Sequence, residues 1–180
     1  MKSHTFSPDN SSGQVLRDWW LKLQEDRGTR AELRRARSAN DVALIPATID
    51  LIIRLQGSTV ARHSRWRHRI PLIAGLAAHL KADEEVVLQA QHILGLPERM
   101  AERVSKDKHR PRVSELRFRR LLRLERDELY HPMIRLLALM DGRANLYELA
   151  DALFWWGPSV KKEWAYAYFP KLPQSTTKSS

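Results

Sequence analysis

The sequence contains no cysteine, which removes disulfides and thiolate metal sites and fits a reducing compartment. Glycine is scarce, 7 residues in 180, against a barrel or sandwich built on many tight turns. No apolar run approaches the roughly 18 residues needed to span a bilayer, and Met1–Gly13 lacks the apolar core of a secretory signal. The expectation is a cytoplasmic protein with no membrane partner. The stretch from Leu51 to Ala82 holds no acidic residue at all.

The motifs of common enzymes are missing as well. There is no Gly-rich phosphate loop, no nucleophile elbow and no pair of histidines four apart around a glutamate. His63 and His68 sit among arginines, which repel a cation; His4, His79, His92, His109 and His131 are scattered. Asp83, Glu84 and Glu85 read as the acidic first turn of a helix, where the macrodipole favours them. These absences point to a protein that is not an enzyme and needs no metal or cofactor.

What is present is helix former and positive charge. Leu, Ala, Arg and Glu dominate, and the long segments repeat their apolar residues with helical rather than alternating spacing. The fold class expected is all-α: two small helical bundles, residues 11–104 and 113–169, joined by a basic linker at 105–112. Residues 1–10 and 171–180, polar and rich in Ser, Thr and Pro, read as flexible tails. The first helix is expected to end at Gly28, a short basic one to run from Thr29 to Arg37, and another from Asp83 to Gly95. Asn145 followed by Glu148 reads as a helix N-terminus.

The net charge is +10, with arginine far outnumbering lysine. Such a surplus attracts polyanions, and the planar guanidinium grips phosphate oxygens two at a time. Three segments concentrate it. In the first, Arg30, Arg34 and Arg37 share one helical face at i, i+4, i+7, with Arg35 beside them. The second is the acid-free stretch with Arg54, Arg62, Arg65, Arg67 and Arg69, where Trp66 stands between arginines; stacking on an unpaired base is the minor reading of it, and its role stays open. In the third, a wheel at 100° per residue puts Arg112, Arg119, Arg123 and Arg126 within an arc of about 60°, opposite Phe118, Leu121 and Leu122; Arg117 and Arg120 flank that ridge. The bland reading is a solvated face, since Glu115 and Asp127 stand four residues from Arg119 and Arg123. The tandem pairs Trp19–Trp20 and Trp155–Trp156 read as core or subunit packing.

The order of these features resembles the CasB family, the small subunit of the type I-E Cascade complex of CRISPR immunity. Ala-Glu-Leu-Arg-Arg-Ala at 31–36 with Ile45-Pro46-Ala47, the run Arg117 to Arg126, and Asn145 to Ala150 leading into Phe154-Trp155-Trp156-Gly157 carry the likeness. It implies a non-catalytic helical subunit that binds nucleic-acid backbone, holds the displaced strand of target DNA and supports the guide RNA assembly. Its implied partners are the other Cascade subunits, guide RNA, target DNA and a second copy of itself. Arg34, Arg35, Arg117, Arg123 and Arg126 match the family's basic positions; Arg30, Arg37, Arg119 and Arg120 rest on the spacing argument. The competing reading is a freestanding DNA- or RNA-binding regulator, against which stands the shortage of Asn and Gln on the arginine-rich helices.

Overall fold

Capping residues divide the chain into short helices in the computed structural model, which describes residues 4–83, 95–104 and 107–172. Helix α1 (Ser11–Glu25) starts at Asn10, whose Oδ1 accepts from Gly13 N at 2.9 Å. Asp26 ends α1 and caps α2 (Arg27–Arg35), accepting from Thr29 N at 3.0 Å. The break therefore falls at Asp26, and Gly28, expected to end the first helix, lies inside the first turn of α2. Ser38 caps α3 (Ala39–Ala43). Pro46 opens α4 (Pro46–Leu55), where its missing N–H is no loss.

Two 3-10 helices, Thr59–Arg62 and Trp66–Arg69, lead into α5 (Ile70–Ala77). All eight residues of α5 are buried. It packs against α2, α3 and α4, and also against two later helices, α8 (Tyr130–Leu139) and α9 (Leu146–Phe154). A Cβ on Gly75 would stand 2.7 Å from the Tyr130 ring and 2.9 Å from Val42, so only glycine lets α5 lie this close. The Tyr130 hydroxyl donates to Ala36 O at 3.2 Å, tying α8 to the end of α2. The buried side chains form one connected cluster.

Strands among the described residues are short. β1 (Ala82–Asp83) lies parallel to β4 (Arg143–Ala144), with Ala82 opposite Arg143. Helix α6 (Leu96–Ala101) precedes an antiparallel pair, β2 (Arg103–Val104) and β3 (Asp107–Pro111), in which Arg103 faces Pro111. Residues 107–111 of the expected linker thus form a strand. Helix α7 (Glu115–Arg123), a 3-10 turn (Arg126–Glu128), α10 (Pro158–Tyr168) and a last 3-10 turn (Phe169–Lys171) complete the order. The chain is all-α in class, as the spacing of its apolar residues predicts.

The segment before α1, read from sequence as a tail, is fastened from His4 onward. Phe6 is 1% exposed and meets the Phe154 ring edge-on at 5.8 Å. Asp151 of α9 accepts from Phe6 N at 2.8 Å and pairs with His4 at 2.9 Å. A Cβ on Gly13 would collide with the Ser7 carbonyl, so glycine in the first turn of α1 makes room for this segment. One apolar side chain in a polar run is too little signal to predict burial. The expected helix from Asp83 to Gly95, with Glu84, Glu85 and His92, falls largely on residues 84–94, and the C-terminal tail on 173–180; both lie outside the described residues.

Candidate nucleic-acid interface

The arginines expected to act together separate into two kinds. On α2, Arg34 and Arg35 are exposed and have no ion-pair partner among the described residues. Arg30 turns inward: Nε donates to Ala78 O at 3.1 Å and Nη2 to Leu80 O at 2.5 Å. These carbonyls follow the last turn of α5, where the chain leaves unpaired acceptors and the negative end of the helix dipole. Burial, then the neighbouring Arg34, draws the Arg30 pKa below its ordinary value. Helix α2 ends at Arg35 because Ala36 is extended, at φ −56° and ψ 138°. Arg37 therefore lies beyond the helix, exposed, and the expected Arg30–Arg34–Arg37 face does not form.

The charge around α2 leaves a mark on His79, at the end of α5. Its Nε2 is buried without a hydrogen bond among the described residues. Burial, then Arg34 and Arg30, lowers its pKa to about 4, so the ring is neutral near pH 7.

Helix α7 has the same division. Phe118 and Leu121 are buried, and the Phe118 ring stacks on Tyr168 at 3.7 Å. Arg117, Arg120 and Arg123 are exposed without an acidic partner among the described residues. Arg119, also exposed, pairs with Glu115 at 2.7 Å and lies 4.9 Å from the centre of the Phe169 ring. Leu124 is extended, at φ −76° and ψ 146°, so the helix stops at Arg123. Arg126 lies past that end, and Arg112 lies before the helix begins at Glu115, so both fall off the wheel that placed them with Arg119 and Arg123. Arg112 pairs with Asp141 at 3.2 Å. Arg126 closes the end of α9, donating from Nε to Leu153 O at 3.1 Å and from Nη2 to Phe154 O at 3.0 Å and Trp156 O at 3.1 Å. Burial first, and Arg69 second, lowers its pKa.

Trp66, for which stacking on a base is the minor of two readings, is 7% exposed and belongs to the core. The hairpin of β2 and β3 presents two further exposed arginines, Arg103 and Arg110; the polar run that forms it carries no alternation to announce a strand.

Fold and charge define the class: an all-α protein with only short strands, which turns one set of arginines into its own helix ends and presents another set to solvent from α2 and α7. The profile of CRISPR-associated protein Cse2 matches residues 29–169, and the chain belongs to that family. It is similar in fold to a chain in the crystal structure of Escherichia coli Cascade bound to a PAM-containing dsDNA target, with TM-score 0.63 and 20% identity over 91% of this chain and 97% of that one. It is likewise similar to CasB from Thermus thermophilus, with TM-score 0.60 and 24% identity over 92% of this chain and 99% of that one. No curated protein matches the chain. Among the described residues no helix is long and apolar enough to cross a membrane.

Proposed function

We propose that this protein is the non-catalytic small subunit of a Cascade-type CRISPR surveillance complex, and that it holds nucleic acid by its backbone. The observation that carries this reading is the family match across both arginine-bearing helices, residues 29–169. A solved relative comes from a Cascade assembly bound to DNA. The partners of this reading are the other Cascade subunits, guide RNA, the displaced strand of target DNA and a second copy of the chain. The exposed set, Arg34, Arg35 and Arg37 with Arg117, Arg119, Arg120 and Arg123, supplies phosphate contacts. Arg30 and Arg126 contribute by shaping the surface.

Exchange of a DNA duplex for a guide–target hybrid is nearly balanced, so contacts to the displaced strand tip it. An arginine surface does this without reading sequence. The test is reconstitution of the complex with and without this subunit, followed by target-duplex opening across a salt series. Loss of stable opening on omission, with guide RNA still bound, is the expected result. Full opening without the subunit rejects the reading.

A further inference from the structure

The tandem tryptophans lie just past the end of α9, where the backbone leaves the helix at Trp155 (φ −100°, ψ 11°), and they part company. Trp156 is buried and donates from Nε1 to Leu124 O at 2.9 Å. Trp155 is 42% exposed, whereas the other five tryptophans, at positions 19, 20, 66, 156 and 164, are all buried. Its indole is held in place: Nε1 donates to Thr5 Oγ1 at 2.8 Å, the His63 ring meets it edge-on at 4.9 Å, and the Arg69 guanidinium lies 5.3 Å from its centre. Arg69 Nη1 also donates to Phe154 O at 3.1 Å, which fixes the acid-free 62–69 segment against the end of α9. Arg62, Arg65, Arg67 and His68 of that segment are exposed. Arg65 takes the left-handed conformation at φ 55°, the bend that joins the two 3-10 helices. The acid on this turn of α9, Asp151, is already engaged by His4 and Phe6 N.

A fixed, exposed indole beside a rim of unpaired cations is the chemistry that receives an unpaired base together with its flanking phosphates. The geometry points to Trp155 as a stacking platform for single-stranded nucleic acid, with Arg62, Arg65 and Arg67 as its phosphate rim. This rests on the backbone-binding function proposed above and adds an attachment that duplex cannot use, since paired bases are not free to stack. A protein partner would also cover an exposed tryptophan. The acid-free rim favours the polyanion, because a protein surface brings carboxylates only at chosen places, whereas a strand brings a phosphate with every base.

The experiment uses the full chain and 20-mers of oligothymidine, oligouridine and an abasic strand of the same charge. Trp155 is the one solvent-facing fluorophore among the tryptophans, so stacking quenches the exposed part of the emission and protects it from acrylamide. The intact strand is expected to bind roughly fivefold or more tightly than the abasic strand. In Trp155→Ala that difference disappears. The oligouridine arm tells whether RNA or DNA is the better source of the strand. Equal affinity of the wild-type chain for intact and abasic strands overturns the platform while leaving backbone binding in place. No salt-dependent binding to any strand overturns backbone binding as well. Shielding of Trp155 on assembly of the complex before DNA is added, with duplex opening unchanged in Trp155→Ala, assigns the indole to a protein contact and also overturns the platform.

Discussion

Residues 27–37 and 112–126 are alike in composition and differ in how they use it. Around α2, the inward arginine belongs to the helix itself, and Arg30 crosses to the end of α5 while Arg34 and Arg35 remain outside. Around α7, the inward arginine lies past the helix end, so Arg126 closes α9 while three unpaired arginines, 117, 120 and 123, stay on one short helix. The lesson concerns what an arginine is near. Where a neighbouring helix ends with unpaired carbonyls, five fixed donors are drawn there. Where neither such an end nor a carboxylate is in reach, the charge stays free for an external anion.

That contrast is broken most severely at its inward members. Arg126→Ala is expected to destabilise the fold by about 2–4 kcal/mol in chemical denaturation, because three carbonyls lose a charged donor. Arg126→Lys should restore only part, since an ammonium is a point donor and not a planar fork. Arg30→Ala should behave likewise with a smaller loss, having two carbonyl contacts. An unchanged denaturation midpoint in both would place these arginines among the free ones.

The outward members should move binding and leave stability alone. Replacing Arg117, Arg120 and Arg123 together by Ala is expected to lower the slope of log affinity against log salt by about 2 to 3. Stability should stay within about 1 kcal/mol of wild type, as for exposed substitutions elsewhere. The pair Arg34→Ala and Arg35→Ala should lower the slope by about 1.5. A triple variant with the wild-type slope would remove α7 from the interface and leave α2 as the candidate.

A last contrast is in the pH dependence of stability, where two groups outside those segments, Glu148 and His79, both shifted by burial, act with opposite signs. Glu148 of α9 accepts from Leu96 N at 2.6 Å, and burial pushes its pKa up to about 7. Between about pH 4.5 and 7 the native chain holds a proton there that the unfolded chain has released. That contribution to stability is full below 4.5 and is lost as pH rises to 7. His79 acts the other way. The unfolded ring takes up a proton near pH 6.5 and the native one only near 4, so stability is lost as pH falls between those values. Glu148→Gln should therefore flatten the decline above pH 4.5 and raise stability at pH 8, measured by urea denaturation at a series of pH values. An unchanged profile would show that Glu148 ionises normally in the folded chain.

Much of the fold was legible because helix formers, caps and prolines agree. Asn145 accepts from Glu148 N, and Pro158 opens α10, at the places the residues indicate. The arginine faces were less legible, because a wheel presumes one continuous helix. Extended backbone at Ala36 and Leu124, residues with ordinary helical preferences, ends α2 and α7 before Arg37 and Arg126. No local signal marks those ends; tertiary packing sets them. Trp66 and Phe6 show the same limit, since a residue in polar surroundings along the chain is buried by neighbours distant in sequence. The unequal fates of Trp155 and Trp156, read alike from sequence as packing residues, are set by the turn that follows α9.

Helix α5 has a consequence for the making of the protein. Its apolar residues, complete when the ribosome has reached Ala77, need α8 and α9 to cover one side. At roughly 5–20 residues per second, those helices are still to be made for several seconds. During that interval the nascent chain can cover α5 with α2, α3 and α4 on one side and leaves its other apolar side open. A chain ending before Tyr130 would lack both helices that cover that side of α5.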